Sequence, residues 1–162
     1  RVLKDGENLQ LGSQEWTVLH TPGHHPEHLC LISNSGLIAG DMVAGIGTIL
    51  VPPGQGNMMT YIEQLERLLD LDPHLIFPSH GPVIPLPSRT LEHYIRHRSI
   101  RHDKVLAAVE EGNSNLEAIA RIAYQDTPDA HPGLAVDQTL SHLLSHEKDG
   151  KVMRVNDGWV RA

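Results

Sequence analysis

Alternating apolar and polar positions predict a layered sheet region in the first part of the chain. The segment EWTVLH at 15–20 alternates in character and predicts a strand that ends at Thr21-Pro22-Gly23, where Pro and Gly favour a turn. Two short apolar runs follow, at 29–32 and 37–39, separated by the turn-forming residues SNSG. This arrangement predicts a hairpin whose second strand delivers Gly40-Asp41 at its end.

Helical spacing and a short apolar run complete this region. Residues 42–56 are rich in glycine and proline and predict an irregular loop, and a loop of this length is more often functional than idle. Asn57 is a suitable N-cap for a helix that ends near Asp72. The segment from His74 to Phe77 then predicts a buried strand by its composition. The order of strand, hairpin, helix and strand is typical of an α/β layered domain through about residue 88.

The rest of the chain is predicted to be mostly helical. One long helix capped by Ser88 should end at Gly112, and two shorter helices are predicted over 116–124 and 134–148. Asn156-Asp157-Gly158 then predicts the turn of a terminal hairpin. Three helices followed by a small hairpin is the order of elements in a winged-helix domain.

Composition narrows the classes of function. The net charge of −7 disfavours a surface that generally seeks nucleic acid, because phosphate binding needs clustered Lys and Arg. The only cysteine, Cys30, lies in the apolar run LCLI, which predicts a buried thiol and is typical of a reducing compartment. No apolar run approaches the ~20 residues that span a bilayer, and no signal peptide opens the chain. We therefore expect a cytoplasmic protein without membrane contacts.

Three short motifs contain candidate metal ligands: TPGH ending at His24, GD ending at Asp41, and PSHG around His80. Each candidate follows a predicted strand and lies beside a glycine, where the backbone can turn sharply and direct a side chain into a cleft. Imidazole suits zinc, iron and manganese, and a carboxylate can bridge two cations. The alternative from the residues alone is three unrelated polar turns.

These motifs resemble the third, fourth and fifth ligand motifs of the metallo-β-lactamase superfamily. The resemblance extends to GTILVPP at 47–53, IFPSHGPVI at 76–84 and YIRHRSIRHDKVL at 94–106, which are similar to a beta-lactamase-like branch that includes an endoribonuclease with a C-terminal winged-helix-like domain. It implies an α/β (α+β) fold: the second half of a metallo-β-lactamase αββα sandwich over residues 1–98, followed by a winged-helix-like helical domain over 99–162.

The resemblance also implies roles for the three candidates. His24 would be a ligand of a first metal, Asp41 would bridge two metals, and His80 would bind the second. Zinc is the expected metal, with two ions in the full-length protein. The implied activity is hydrolysis of an ester, thioester, amide or phosphodiester by a metal-bound hydroxide. No catalytic residue beyond the metal ligands is predicted.

The family's H-x-H-x-D-H motif is absent from this sequence, although it contains twelve histidines. Three ligands divided between two metals leave each ion with too few protein donors, since a catalytic zinc usually keeps three. We therefore expect the chain alone to bind metal partially or not at all and to hydrolyse little, and we assign the enzymatic activity to a longer parent of which this is the C-terminal portion. Half of a sandwich exposes the face that the other half covers, so a homo-oligomer, domain exchange or a retained N-terminal fragment is expected.

Other histidines favour structural interpretations. For His28 we expect a structural hydrogen bond rather than ligation, and for His25 an exposed position at the rim of the cleft. His93 and His97 are four residues apart on one helix, but they lack the Glu of a helical zinc motif and have basic neighbours. The basic cluster at 96–104 could contact phosphates, although a solvated helix face is favoured.

Two alternatives to a small-molecule hydrolase remain open. One is a metal-dependent endoribonuclease acting on RNA. The other is a non-enzymatic piece whose winged-helix-like tail binds a protein or nucleic acid. The tail from residue 113 to 162 has five Lys or Arg against seven Asp or Glu, whereas a helix that reads a nucleic-acid groove should be basic. Packing against the hydrolase region, or shaping its substrate cleft, is the favoured role of the tail.

Overall fold

A computed structural model describes all 162 residues, which form a five-stranded sheet, four helices and a terminal hairpin. The elements are β1 Asn8–Leu11, β2 Gln14–His20, β3 Leu29–Ser33, β4 Gly36–Gly40, α1 Met58–Asp70, β5 Ile76–Pro78, α2 Pro87–Glu110, α3 Leu116–Ala123, α4 Pro132–Lys148, β6 Val152–Val155 and β7 Gly158–Arg161. The predicted hairpins β3–β4 and β6–β7 are both present.

The main sheet has the order β1-β2-β3-β4-β5, with antiparallel pairs up to β4 and a parallel β4–β5 pair. The edge strand β1 was not predicted, because its residues lie in the mostly polar stretch DGENLQLGSQ. Since β2 and β4 are both antiparallel to β3, they run in the same direction, and β5 runs with them. The carboxyl ends of β2, β4 and β5 therefore meet at one edge of the sheet.

One face of this sheet is buried beneath α1 and the first half of α2. Helix α1 begins at Asn57 as predicted, and the Asn57 side chain accepts a hydrogen bond from the Thr60 N–H. Its buried residues, including Leu65 and Leu68, pack with Leu37 and Ile76 of the sheet in one apolar core. This core fixes the sheet whose edge carries the candidate ligands.

The opposite face of the sheet is apolar and partly exposed. Strand register places Val18, Leu31, Ile38 and Phe77 in one row across four strands. Val18 is buried, Leu31 and Phe77 are half-buried, and Ile38 is 38% exposed. We call this row and its surroundings the open face; no helix of the chain covers it in the way that α1 covers the other side.

Helix α2 is continuous and contributes to two cores. Leu91 and Tyr94 pack in the sheet core, whereas Val105 and Val109 pack with α3, α4 and the terminal hairpin in a second core. The predicted division between residues 98 and 99 lies inside this helix. The prediction that Ser88 caps α2 is wrong: the N-cap is Leu86, with Pro87 in the first turn, and the Ser88 hydroxyl donates to Asp72 instead.

Candidate metal centre

The structure brings His24, Asp41 and His80 together at one edge of the sheet. His24 lies in the turn after β2, Asp41 directly follows β4, and His80 lies in the turn after β5. The Nε2 atom of His80 is 3.2 Å from Asp41 Oδ1, and the Nε2 atom of His24 is 3.7 Å from Asp41 Oδ2. Asp41 therefore lies between two imidazoles, each facing a different carboxylate oxygen.

The ring of His24 is oriented by the loop that follows Asp41. Its Nδ1 lies 2.6 Å from the carbonyl oxygen of Leu50, which can only accept, so Nδ1 carries the proton. The remaining nitrogen, Nε2, then has a free lone pair on the side of Asp41. A backbone carbonyl that fixes the tautomer in this way is the usual outer partner of a metal-binding histidine.

His28 holds the backbone of Asp41 instead of facing the site as a ligand. Its Nε2 accepts the Asp41 N–H at 3.0 Å, and its Nδ1 donates to the Thr21 hydroxyl at 2.8 Å. Both ring nitrogens are thus used, which confirms the structural hydrogen bond predicted for His28. Burial, with the nearby His24 second, lowers the pKa of His28 and favours the neutral ring that this pattern requires.

Gly40 allows His28 to reach the Asp41 backbone. A Cβ at position 40 would lie 2.6 Å from His28 Nε2, and Gly40 has a φ of +52°, which disfavours other residues. Gly23, before His24, is equally constrained, because a Cβ there would lie 2.4 Å from the Tyr61 Cα. The glycines of both motifs therefore permit close approaches that position the ligands.

The carboxylate of Asp41 is only partly satisfied by hydrogen bonds within the chain. Asp41 Oδ1 is buried and has no hydrogen-bond partner, and a buried, uncompensated carboxylate oxygen is costly. Zinc bonds of about 2.0–2.2 Å place tetrahedral donors roughly 3.3 Å apart, which is close to the spacing between Asp41 and His80. Two imidazoles and a carboxylate suit zinc, iron or manganese.

These donors do not form a closed site. The structure contains no group of three or more His, Cys, Asp or Glu side chains arranged to hold a metal ion. The exposed fractions of the side chains are 24% for His24, 32% for Asp41 and 68% for His80. His80 in particular is open to solvent.

The loop 42–56 is fixed by partners that sequence reasoning missed. The Tyr61 hydroxyl donates to the Met42 carbonyl, and the Tyr94 hydroxyl accepts from the Ala44 N–H. The Gly45 N–H donates to the His80 carbonyl at 2.8 Å. These bonds connect residues far apart in sequence, so no local pattern indicated them. They make the loop a rigid support for His24 and His80.

The basic cluster at 96–104 does not form the solvated helix face that was favoured. Arg98 and Arg101 are 2% and 3% exposed, and Lys104 pairs with Asp126. Arg101 donates to the Ala123 carbonyl and pairs with the same Asp126, whose pKa is lowered by hydrogen bonds from these two basic side chains. Most of the cluster is therefore used inside the protein and is not available to phosphates.

Other sequence predictions have clear outcomes. Cys30 is buried as predicted, and burial raises the pKa of its thiol to about 12. His25 is exposed, also as predicted. The rings of His93 and His97 stack, with 6.1 Å between their centroids. None of the four helices has the length and apolar character needed to cross a bilayer.

A second group of histidines was not recognised from the sequence. His102 of α2 lies against His142 and His146 of α4, with a distance of 3.1 Å between the Nδ1 atoms of His102 and His142. All three are buried, and the rings of His102 and His146 stack at 3.6 Å. The spacing of four residues between His142 and His146 placed them on one helix face and was the available signal.

Comparison with known proteins gives a consistent family. Residues 2–80 match the model of the Metallo-beta-lactamase superfamily. The chain is 37% identical to a Beta-lactamase-like protein 2 homolog of Drosophila melanogaster over 139 residues, which are 83% of this chain and 46% of that protein. It is 23% identical to an atrochrysone carboxyl ACP thioesterase of Paecilomyces divaricatus, covering 99% of this chain and 51% of that protein.

Among solved structures, a Beta-lactamase domain protein from Burkholderia ambifaria superposes with a TM-score of 0.86 at 27% identity, covering 100% of this chain and 52% of that protein. The mixed α/β fold is thus shared along the whole chain. The chain spans about half the length of the curated relatives it matches.

Proposed function

Because the chain belongs to the metallo-beta-lactamase superfamily, we propose that it supplies His24, Asp41 and His80 to the metal centre of a hydrolase that cleaves acyl thioesters or esters. Zinc is the proposed metal. The observation that carries the proposal is the buried Asp41 Oδ1, which lacks a hydrogen bond and lies 3.2 Å from the imidazole of His80. The helices α2–α4 and the terminal hairpin are the proposed winged-helix-like domain.

Each residue has a distinct part in this proposal. A divalent ion bound here would lower the pKa of a water molecule and polarise the substrate carbonyl. Asp41 supplies negative charge to the ion, and its backbone is held in place by His28. His24 offers its Nε2 lone pair because Leu50 holds the proton on Nδ1. His80 approaches from the solvent side and offers the other imidazole.

Thioesters and esters are favoured over RNA for two reasons. A relative that matches 99% of this chain carries the name of a thioesterase. The basic side chains that could have contacted phosphates, Arg98 and Arg101, are buried and bonded within the protein. RNA cleavage remains the alternative activity, and the same experiment separates the two.

The experiment compares hydrolysis by the protein that carries this chain and by its Asp41→Asn variant, with zinc or manganese supplied. The substrates are an acyl N-acetylcysteamine thioester and an RNA oligonucleotide. We expect thioester hydrolysis to fall by about a hundredfold or more in the variant. Loss of a residue that only supports a metal ligand already lowers metal affinity or activity by about 10–100-fold, and Asp41 is itself a proposed ligand.

The control is His25→Ala, which alters an exposed residue of the same turn and should retain activity. Equal hydrolysis by wild type and Asp41→Asn would contradict the proposal, and RNA cleavage without thioester hydrolysis would establish the alternative.

The open face adjoins the three proposed ligands, which alone are too few to hold two metal ions. A shallow groove on it is lined by Ile38 and Phe77 and reaches Gly40 and Ser79, the neighbours of Asp41 and His80. We propose that a second layer, from another copy or from another segment of the same protein, covers this face and brings further ligands. Light scattering and intact-mass analysis of this chain on its own test this. A stable, folded monomer with no associated fragment would contradict it, because the open face would then need no cover.

A further inference from the structure

A cavity lies where the loop 42–56 meets the helical tail. Its volume is about 290 Å³, and none of His24, Asp41 and His80 is among its thirteen lining residues. Gly47 and Thr48 of the loop form one side, Tyr94 and Arg98 of α2 form another, and the tail closes the rest. The cavity is therefore separate from the metal ligands, although the same loop borders both.

Arg98 is a buried cation without a counter-ion. It is 2% exposed, and no carboxylate lies within salt-bridge distance of it. Its guanidinium donates to three neutral acceptors: the Gln138 side-chain oxygen, the Thr48 hydroxyl and the Ile49 carbonyl. Its Nε has no hydrogen-bond partner, as is also true of the Nε of Arg101. Buried charges in proteins are normally paired, so Arg98 at the wall of a cavity indicates a place for an anion.

Arg101, a second buried arginine of α2, has the carboxylate partner that Arg98 lacks. Arg101 lies three residues further along the same helix, is equally buried, and forms an ion pair with Asp126 at 2.9 Å. Its guanidinium also stacks on Tyr124 at 4.0 Å. The two arginines thus share a helix and a degree of burial, but only Arg98 lacks a negative partner and lines the cavity.

The lining indicates the kind of anion. Apart from Arg98, the wall is formed largely by rings and apolar groups, including Tyr94, Tyr124, Leu134 and Ala135. The rings of His93, His97 and His131 also line the wall. Burial, with the Arg98 charge second, lowers the pKa of His97 and favours its neutral ring. One cation in an apolar pocket suits a singly charged group on an apolar body, whereas a phosphate would need more donors.

We propose that this cavity binds a small organic carboxylate with an apolar body, whose carboxylate pairs with Arg98. The apolar part lies against the tyrosine rings and the helical tail. The volume is at the lower end of small-molecule sites, about 300–1,000 Å³, and fits an acyl chain or single ring rather than a large cofactor. This inference is independent of the proposed hydrolysis, because it needs neither the metal ligands nor catalytic turnover.

Calorimetric titration of the chain with octanoate, octanamide and inorganic phosphate tests the inference. We expect saturable octanoate binding, binding of octanamide weaker by about tenfold or more because a charged hydrogen bond is lost, and no binding of phosphate. Arg98→Met should weaken octanoate by the same factor and leave octanamide unchanged. Arg96→Met removes the same charge from an exposed position two residues away and should change neither.

Arg98 also holds the loop, so a second variant keeps the test decisive if Arg98→Met unfolds. Ala130 lines the cavity from the α3–α4 connection, and Ala130→Leu should fill part of it and weaken both ligands while Arg98 remains. Absence of saturable octanoate binding, equal binding of octanoate and octanamide, or unchanged octanoate binding by a folded Ala130→Leu variant would overturn the inference.

Discussion

Two groups of histidines in this chain show how the surroundings of an imidazole decide its role. His24 and His80 lie on turns at a sheet edge, face the carboxylate of Asp41 and are partly open to solvent. His102, His142 and His146 are packed between α2 and α4, and the nearest polar groups are one another and the His102 carbonyl. The first group faces a carboxylate directly, whereas the second forms its hydrogen bonds only within the group.

The protonation states follow from this difference. Burial is the largest cause that lowers the pKa of each of His102, His142 and His146, and for His102 it reaches about 3. The charge of Lys151, just before the terminal hairpin, also lowers the pKa of His102 and His146, whereas the hydrogen bond to the His102 carbonyl and the charges of Asp149 and Asp103 oppose the lowering at His146. Neutral, buried rings contribute packing. A count of twelve histidines therefore indicates little about metal binding until their neighbours are known.

The largest expected effect is on stability, and it distinguishes a histidine that packs in the core from a proposed metal ligand. His142 is fully buried, so His142→Ala should lower the free energy of unfolding by about 2–4 kcal/mol through the cavity it leaves. His24→Ala, at a partly exposed turn, should lower the free energy of unfolding by less than about 1 kcal/mol. It removes the imidazole that faces Asp41 Oδ2. Urea unfolding measures both, with His142→Leu as the control that retains volume. A larger stability loss for His24→Ala than for His142→Ala would contradict this division.

A smaller effect is expected where the backbone supports the proposed metal ligands. Gly40→Ala should cost about 1–3 kcal/mol because of its positive φ, and its Cβ should also displace His28 from the Asp41 N–H. Affinity for zinc should therefore fall. Gly54→Ala is the matched control, because Gly54 has a φ of +78° but open space around its Cβ position. If both variants bound zinc equally well, the His28 contact would have no role in positioning Asp41.

The smallest expected effect is a change in pH dependence. Because the folded-state pKa of His102 lies below its ordinary value of 6.5, the unfolded chain takes up the proton first as the pH falls. The stability that this group contributes is complete above pH 6.5 and is lost as the pH falls toward about 3. His102→Leu should reduce the slope of unfolding free energy between about pH 6 and 5 by about 1.4 kcal/mol per pH unit. Exposed His25→Leu should not change the slope, and an unchanged slope in His102→Leu would show that His102 titrates alike in both states.

The sequence predicted features that depend on local chemistry. The Asn57 cap, the β3–β4 turn and the terminal hairpin follow from neighbouring residues, and the structure contains all three. The proximity of His24, Asp41 and His80 was also predictable. Each follows a strand, and their three motifs come in the same order as the ligand motifs of the family that the sequence resembles.

Features that depend on distant partners were missed. Arg98 lies in a run of basic residues that resembles a solvated helix face, yet Gln138 and the loop 42–56 bury it. Strand β1 forms only because its edge pairs with β2.

The central claim is that His24, Asp41 and His80, and not the buried histidines, face a divalent cation. The most direct test is an NMR titration with zinc of the protein that carries this chain, which follows the ring nitrogens of every histidine named here. We expect zinc to shift the Nε2 signals of His24 and His80, to leave His102, His142 and His146 unchanged, and to lose its effect in Asp41→Asn. Zinc-dependent shifts in the buried group, or none at His24 and His80, would contradict the account.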